Sequence, residues 1–218
     1  MIEIDRDGSV WILRMRDGEN RFGLEWLDSV NAALDRIEAS ESPRALVTTG
    51  EGKFYSNGMD LDWLATEPER AGDYLRSIYA LLGRVLGFPA ITVAAVNGHA
   101  FGGGALLACA HDFAVMRADR GFWCMPEADL GLPLTAEYMS VLTAKLPGRT
   151  VHEAVLTGRR YGGHDALAAG IVQQTAAEQD VLAQAIEIAA GLSGKDARTI
   201  TEHKRLLYGQ AVSVLRGT

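Results

Sequence analysis

An α/β fold is what this sequence predicts, and three observations carry the prediction. Short apolar, β-branched runs alternate with amphipathic helical patterns through the first half of the chain, and helical patterns dominate the second. The run Ile91-Thr92-Val93-Ala94-Ala95-Val96 has no charged or strongly polar face, so it reads as a central strand covered on both sides.

In chain order, Ile2 and Ile4, then Val10, Ile12, Leu13 and Met15, flank the turn dipeptide Asp7-Gly8 and predict a β-hairpin. Leu24, Leu27, Val30, Leu34 and Ile37 recur at three- and four-residue spacing, which predicts a helix over 24–39 that ends before Pro43. A short buried strand follows at 45–49, and a longer helix over about 68–86 stops before Pro89. After the central strand, small residues at 105–110 suit a helix and 113–116 another short strand. Helical patterns recur at 134–146, 150–157 and 164–169, then a strand at 170–173, then helices over 178–192 and 197–207. No fixed-period repeat, Pro/Gly/Ser linker or charge block divides the 218 residues.

Composition excludes several functions. Lys plus Arg number 21 against 28 Asp plus Glu, a net charge of −7, so there is no basic excess to neutralise a phosphate backbone and nucleic acid is not the expected partner. Cys109 and Cys124 show no disulfide or metal spacing, and the five histidines are spread singly, which predicts a reduced, metal-free, cytoplasmic protein. Residues 1–18 have neither a basic start nor an apolar run of signal-peptide kind, and the long uncharged stretch 85–110 is broken by Pro89, Asn97, Gly98 and Gly102 to Gly104, so no membrane span is expected.

Two segments depart from ordinary element chemistry. Residues 50–61, GEGKFYSNGMDL, leave a strand through loosening glycines to Asp60, a helix-capping residue. Residues 97–105, NGHAFGGGA, run from a strand through three glycines into a helix start. Each offers free backbone N–H groups to an anion, although a glycine cluster at such a junction more often serves close backbone packing. Neither is a nucleotide loop: the first lacks a Gly-Lys-Ser/Thr ending and the second lacks Gly-x-Gly-x-x-Gly spacing.

Five ordered motifs resemble the enoyl-CoA hydratase/isomerase (crotonase) superfamily: GKFYSNGMDL at 52–61; PAITVAAVNGHAFGGG at 89–104; DFA at 112–114; PEADLGL at 126–132; and LTGRRY at 156–161 followed by ALAAGIV at 166–172. The resemblance spans residues 1 to about 207 and is closest to Δ3,Δ2-enoyl-CoA isomerases of plant type. It implies a crotonase-like spiral of ββα units over 1–175 and a helical C-terminal region over 176–218 that is shortened relative to longer members, leaving a more open pocket. It also implies a homotrimer or dimer of trimers, an acyl-CoA thioester as substrate, and no cofactor beyond the coenzyme A of that substrate.

Carried over position by position, the resemblance makes the backbone N–H groups of Met59 and Gly103 an oxyanion hole for the thioester oxygen. Ser56, Asn57, Gly58, Asp60, Leu61, Gly102, Gly104 and Leu106 surround the substrate. Hydratases of the family use two carboxylates; here the first position is Leu106 and the second is Glu127. One carboxylate suffices to move a proton between carbons, so the expected reaction is double-bond migration from 3-enoyl-CoA to 2-enoyl-CoA, with Glu127 as acid/base and its pKa raised by an apolar pocket. The alternatives are another acyl-CoA reaction (hydration, thioester hydrolysis or decarboxylation) and a non-catalytic acyl-CoA-binding protein.

Glu137 is the reserve base, two positions out of register, and Asp129 is expected to be a cap or surface acid. His99, Trp63 and Trp123 are expected to pack, and Lys53 and Arg21 to be solvated rather than to meet the CoA phosphates.

Overall fold

The computed structural model describes every residue from Met1 to Thr218. Strands β1 (Ile2–Asp7) and β2 (Val10–Met15) form the expected antiparallel hairpin, with Asp7 opposite Val10. After α1 (Leu24–Glu38), the strands β3 (Ala45–Gly50), β5 (Ile91–Val96), β7 (Phe113–Arg117) and β9 (Gln174–Ala176) continue from β2 in parallel, giving a six-stranded sheet in the order β1-β2-β3-β5-β7-β9.

Between these strands the chain crosses repeatedly to a second, three-stranded parallel sheet of β4 (Phe54–Ser56), β6 (His99–Phe101) and β8 (Trp123–Cys124). Parallel neighbours need a crossover of a dozen or more residues, and helices supply it. They are α2 (Leu61–Thr66) and α3 (Ala71–Leu86) after β4, and α4 (Gly103–Ala110) after β6. After β8 come α5 (Glu127–Leu130), α6 (Ala136–Lys145), α7 (Gly148–Thr157) and α8 (Gly163–Ala168). Strand, strand and returning helix repeat as the ββα spiral. Asn97 ties two of its corners, accepting from the Gly50 N–H at 2.9 Å and donating to the Gly52 carbonyl at 3.1 Å.

Alternation within strands sorts the core. Val10, Ile12, Val47, Val93, Ala95 and Val115 face α9 (Val181–Leu192), which presents Val181, Ala185 and Ala189 at four-residue spacing. Residues of opposite parity, including Trp11, Leu13, Leu46, Ala94 and Val96, join the larger core with α1, α3, α4 and α6. All six residues of β5 are buried, as its two-sided apolar run requires.

The last helix, α10 (Ala197–Arg216), packs on α3 and α6 and is pinned by a buried lysine. Lys204, 4% exposed, donates to the carbonyls of Phe88 at 3.0 Å and Ala90 at 2.7 Å, and its ammonium lies 2.7 Å from Asp112. Asp112 also accepts from the Thr92 backbone N–H and hydroxyl.

The structure corrects several expected boundaries. Residues 170–173 are not a strand: the N–H groups of Ile171 and Val172 both turn back to the Ala166 carbonyl, burying their side chains in a turn, and pairing with β7 begins at Gln174. The helix expected over 68–86 opens with a 3-10 turn, Pro68–Arg70. The helix expected over 105–110 starts two residues earlier, at Gly103, and that expected over 197–207 runs on to Arg216. The three strands of the small sheet, only two or three residues each, lie inside segments that read as loops.

Because Lys204 satisfies three oxygens out of water, Lys204→Ala should lower the unfolding free energy by about 3 kcal/mol by leaving the Asp112 carboxylate without its cation. Chemical denaturation of the two proteins measures this.

Candidate active site

Strands β4 and β6 lie side by side, and each runs directly into one of the two glycine-bearing turns. The turns are in backbone contact. A Cβ placed on Gly58 would lie 2.6 Å from the Gly103 nitrogen, and one on Gly104 would lie 2.2 Å from the Ser56 carbonyl oxygen. Gly58 also has φ +76°, a conformation that a side chain would strain. The missing side chains at these glycines are what lets the two turns touch.

Peptide planarity shows which way those N–H groups face. The Gly58 carbonyl accepts from the Phe22 N–H at 2.8 Å, so the Met59 N–H, at the opposite edge of the same trans peptide, is directed away from Phe22. It meets no acceptor in the protein. The Gly102 carbonyl accepts from the Leu106 N–H at 3.0 Å, the first bond of α4, so the Gly103 N–H points out of the helix start, where no carbonyl lies four residues back within the helix.

Met59, Gly102 and Gly103 line one cavity of about 330 Å³ together with Glu127. Glu127 opens the short helix α5 and is 7% exposed. Its Oε1 lies 3.2 Å from where a Gly102 Cβ would be, and its Oε2 is buried without any hydrogen-bond partner. Burial raises its pKa above the ordinary 4.5, opposed only by a bond from its own backbone N–H. Leu61, Phe101, Leu130 and Leu132 give the cavity an apolar lining, and Arg21, Asn57, Asp62 and Pro126 complete it.

The remaining expected residues divide between lining and scaffold. Asn57 and Leu61 line the cavity. Ser56 does not: fully buried, it donates to the Asn20 carbonyl at 2.7 Å and accepts from the Gly58 N–H at 3.1 Å. Asp60 caps α2 by accepting from the Trp63 N–H, and its own N–H donates to the Tyr74 hydroxyl. Gly104 is covered by Ser56. Leu106, expected to wall the substrate, is instead fully buried in the main core, because α4 turns that face toward its packing partners.

Glu137, in the first turn of α6, and Asp129, at the surface, both lie outside the cavity lining. Trp123 packs in the core and donates to the Ala105 carbonyl, Trp63 packs 5.0 Å from Tyr74, and His99 lies among Phe54, Phe101 and Phe122. Lys53 sits over the Phe54 ring, outside the cavity.

Arg21, expected to be a solvated side chain, reaches the cavity wall. Its guanidinium is occupied by Asp62 at 2.5 Å, Glu19 at 2.7 Å and Asp60 at 3.6 Å. Phe101, Leu130 and Leu132 went unmarked; each stands one to five residues from a motif glycine or from Glu127, and that adjacency was the available signal.

The raised pKa of Glu127 has a stability consequence. Between pH 4.5 and the higher folded-state value, the folded protein holds a proton that the unfolded chain has released, so stability falls as pH rises through that window. At pH 7 Glu127→Gln should therefore have a higher Tm than the wild type, and the difference should vanish below pH 4.5; thermal denaturation at both pH values measures it.

Comparison with known proteins gives this geometry a family. The profile of the enoyl-CoA hydratase/isomerase family matches residues 5–213. The chain is 32% identical over 204 residues to enoyl-CoA delta isomerase 3 of Arabidopsis thaliana, covering 89% of this chain and 86% of that protein. It is 30% identical over 229 residues to the Arabidopsis protein named enoyl-CoA delta isomerase 2, peroxisomal, covering 99% and 95%. The crystal structure of a probable enoyl-CoA hydratase from Mycobacterium tuberculosis superposes with a TM-score of 0.94 at 28% identity, over 99% of this chain and 92% of that one. No helix of the structure is long and apolar enough to cross a membrane. A spiral of ββα units, two apposed glycine turns and a family match over nearly the whole chain lead to one conclusion: this protein belongs to the enoyl-CoA hydratase/isomerase family, the crotonase superfamily of enzymes.

Proposed function

We propose that this protein is a Δ3,Δ2-enoyl-CoA isomerase that uses Glu127 as its single acid/base and the N–H groups of Met59 and Gly103 as its oxyanion hole. The observation that carries the reading is a buried carboxylate oxygen without a partner, in the same cavity as two backbone N–H groups that the protein leaves free. The names of the Arabidopsis relatives support the choice of reaction.

In this mechanism the thioester carbonyl accepts from both N–H groups. Glu127 removes a proton from C2 of the 3-enoyl chain, and the electron pair spreads onto the carbonyl oxygen as a dienolate. The same carboxyl returns the proton to C4 as the double bond forms between C2 and C3, so no atom is gained or lost. Preorganised donors stabilise the developing oxyanion more than the ground-state carbonyl, about 3 kcal/mol of barrier for each. Burial strengthens Glu127 as a base, by raising its pKa toward that of the carbon acid, and keeps the abstracted proton out of solvent.

Water addition calls for a second polar group to orient water, and the position where hydratases of the family carry it is Leu106, sealed in the core. We propose accordingly an acyl-CoA thioester as the ligand, with no cofactor other than the coenzyme A it carries. The apolar rim of Leu61, Leu130 and Leu132 suits the acyl chain.

Offered 3-enoyl-CoA and 2-enoyl-CoA in parallel, the wild type should form the conjugated product from the first and add no water to the second. Glu127→Gln should lower the isomerisation rate about 10³-fold with acyl-CoA binding within a few-fold of wild type. Hydration of 2-enoyl-CoA, release of free thiol, or binding with no turnover would each replace this reading with one of its alternatives.

Since the basic form of Glu127 starts the reaction, kcat/KM should also rise with pH through a midpoint above 4.5, and this ascending limb should be absent in whatever activity Glu127→Gln retains.

A further inference from the structure

An oxyanion donor works only if its direction is set before substrate arrives, and the segment that sets the Met59 N–H lies outside every motif that marked the site. Residues 19–22 run beside residues 54–58 and are laced to them by backbone and side chain. The Asn57 N–H donates to the Glu19 carbonyl at 2.8 Å, the Phe22 N–H donates to the Gly58 carbonyl at 2.8 Å, and Arg21 bridges Gly58 in parallel fashion. The Phe22 ring closes the other side, against Gly103.

Asn20 is at the centre of this lacing. It is the one non-glycine residue of the chain with positive φ, +49°, and it is 0% exposed. Every polar group it has is used. Its N–H donates to the Asp17 carbonyl and its Oδ1 accepts from the Asp17 N–H, both at 2.9 Å, which closes the turn. Its Nδ2 donates to the Tyr55 carbonyl at 3.1 Å, and its carbonyl accepts from the Ser56 hydroxyl, whose oxygen in turn accepts from the Gly58 N–H. A left-handed residue that is neither glycine nor exposed persists only where its surroundings over-determine it, and such residues gather at functional sites. Here the unusual turn delivers the Phe22 N–H to the carbonyl of the Gly58–Met59 peptide.

We infer that Asn20 is a positioning residue of the oxyanion hole, holding residues 19–22 against β4 so that Phe22 fixes the Gly58–Met59 peptide with the Met59 N–H turned into the cavity. This rests on the function proposed above. Asn20 touches no substrate; its effect passes through Phe22 and Gly58.

The test uses octanoyl-CoA, a saturated thioester that cannot isomerise, labelled with ¹³C at the carbonyl and followed by infrared difference spectroscopy. On binding to the wild type, the carbonyl stretch should move to lower frequency as it accepts from the two donors. Asn20→Gly keeps the permitted backbone and loses the side-chain bonds; Asn20→Asp keeps the Oδ1 acceptor and loses the donor to Tyr55. Each variant that retains its circular dichroism spectrum should bind octanoyl-CoA within about threefold of wild type and lose much of the frequency shift. Its kcat should fall about tenfold or more, with little change in KM.

A full wild-type shift and kcat in Asn20→Gly or Asn20→Asp would overturn the role of Asn20 and leave the oxyanion hole standing. Loss of folded structure in both would make Asn20 a folding residue and overturn it equally. A wild type with no shift on binding would instead overturn the oxyanion-hole reading itself, and the role of Asn20 with it.

Discussion

The contact between Gly58 and Gly103 is the constraint on which the site depends. Two turns separated by more than forty residues can bring their peptide N–H groups to one cavity only if nothing stands between their backbones, and at these two positions there is no room for a Cβ. The parallel pairing of β4 with β6 aligns the turns, and the spiral supplies the crossover that makes this pairing possible. The fold and the glycines are thus two halves of one requirement: the sheet brings the turns level, and the missing side chains let them touch.

Of the three charged side chains the molecule buries, Arg117, Glu127 and Lys204, the last two are treated in opposite ways. Lys204 is surrounded by acceptors, two carbonyls and the Asp112 carboxylate, so that its burial locks α10 to the start of β5. Glu127 is left with an oxygen that bonds to nothing, and its ionised form is disfavoured as a result. Trp26 and Tyr138 in the core also carry an unpartnered polar atom, but theirs are neutral groups, whereas leaving a carboxylate oxygen so imposes the cost on a charge. At the wall of a cavity, with free backbone donors beside it, the same cost is a reservoir of proton affinity.

Much of this was legible along the chain. The two-sided apolar run of β5, the spacing of α1 and the Asp7-Gly8 hairpin stood out because each element's own periodicity reports its burial. Leu106 did not, for its place in a motif says which residue aligns with a family position and nothing about the face α4 turns to the core. Ile171 and Val172 misled in the same way: two apolar β-branched residues read as a strand, while the carbonyl of Ala166 captured both their N–H groups into a turn. The strands of the small sheet escaped notice because two or three residues carry no period, and only their neighbours across the sheet make them strands.

What the sequence by itself determined is the longer helices and strands and the identity of the chemistry-bearing groups: where an element's own periodicity spans several residues, which turns lack side chains, and that a lone glutamate follows Pro126 in a recognisable motif. Tertiary structure alone decided direction and solvation. Whether a peptide N–H faces a cavity depends on what its carbonyl meets across the fold, as Phe22 meets Gly58, and whether a carboxylate is strained or solvated depends on atoms brought from distant segments. Neither quantity is a property of a residue or its neighbours in the chain, because hydrogen bonds and desolvation act through space.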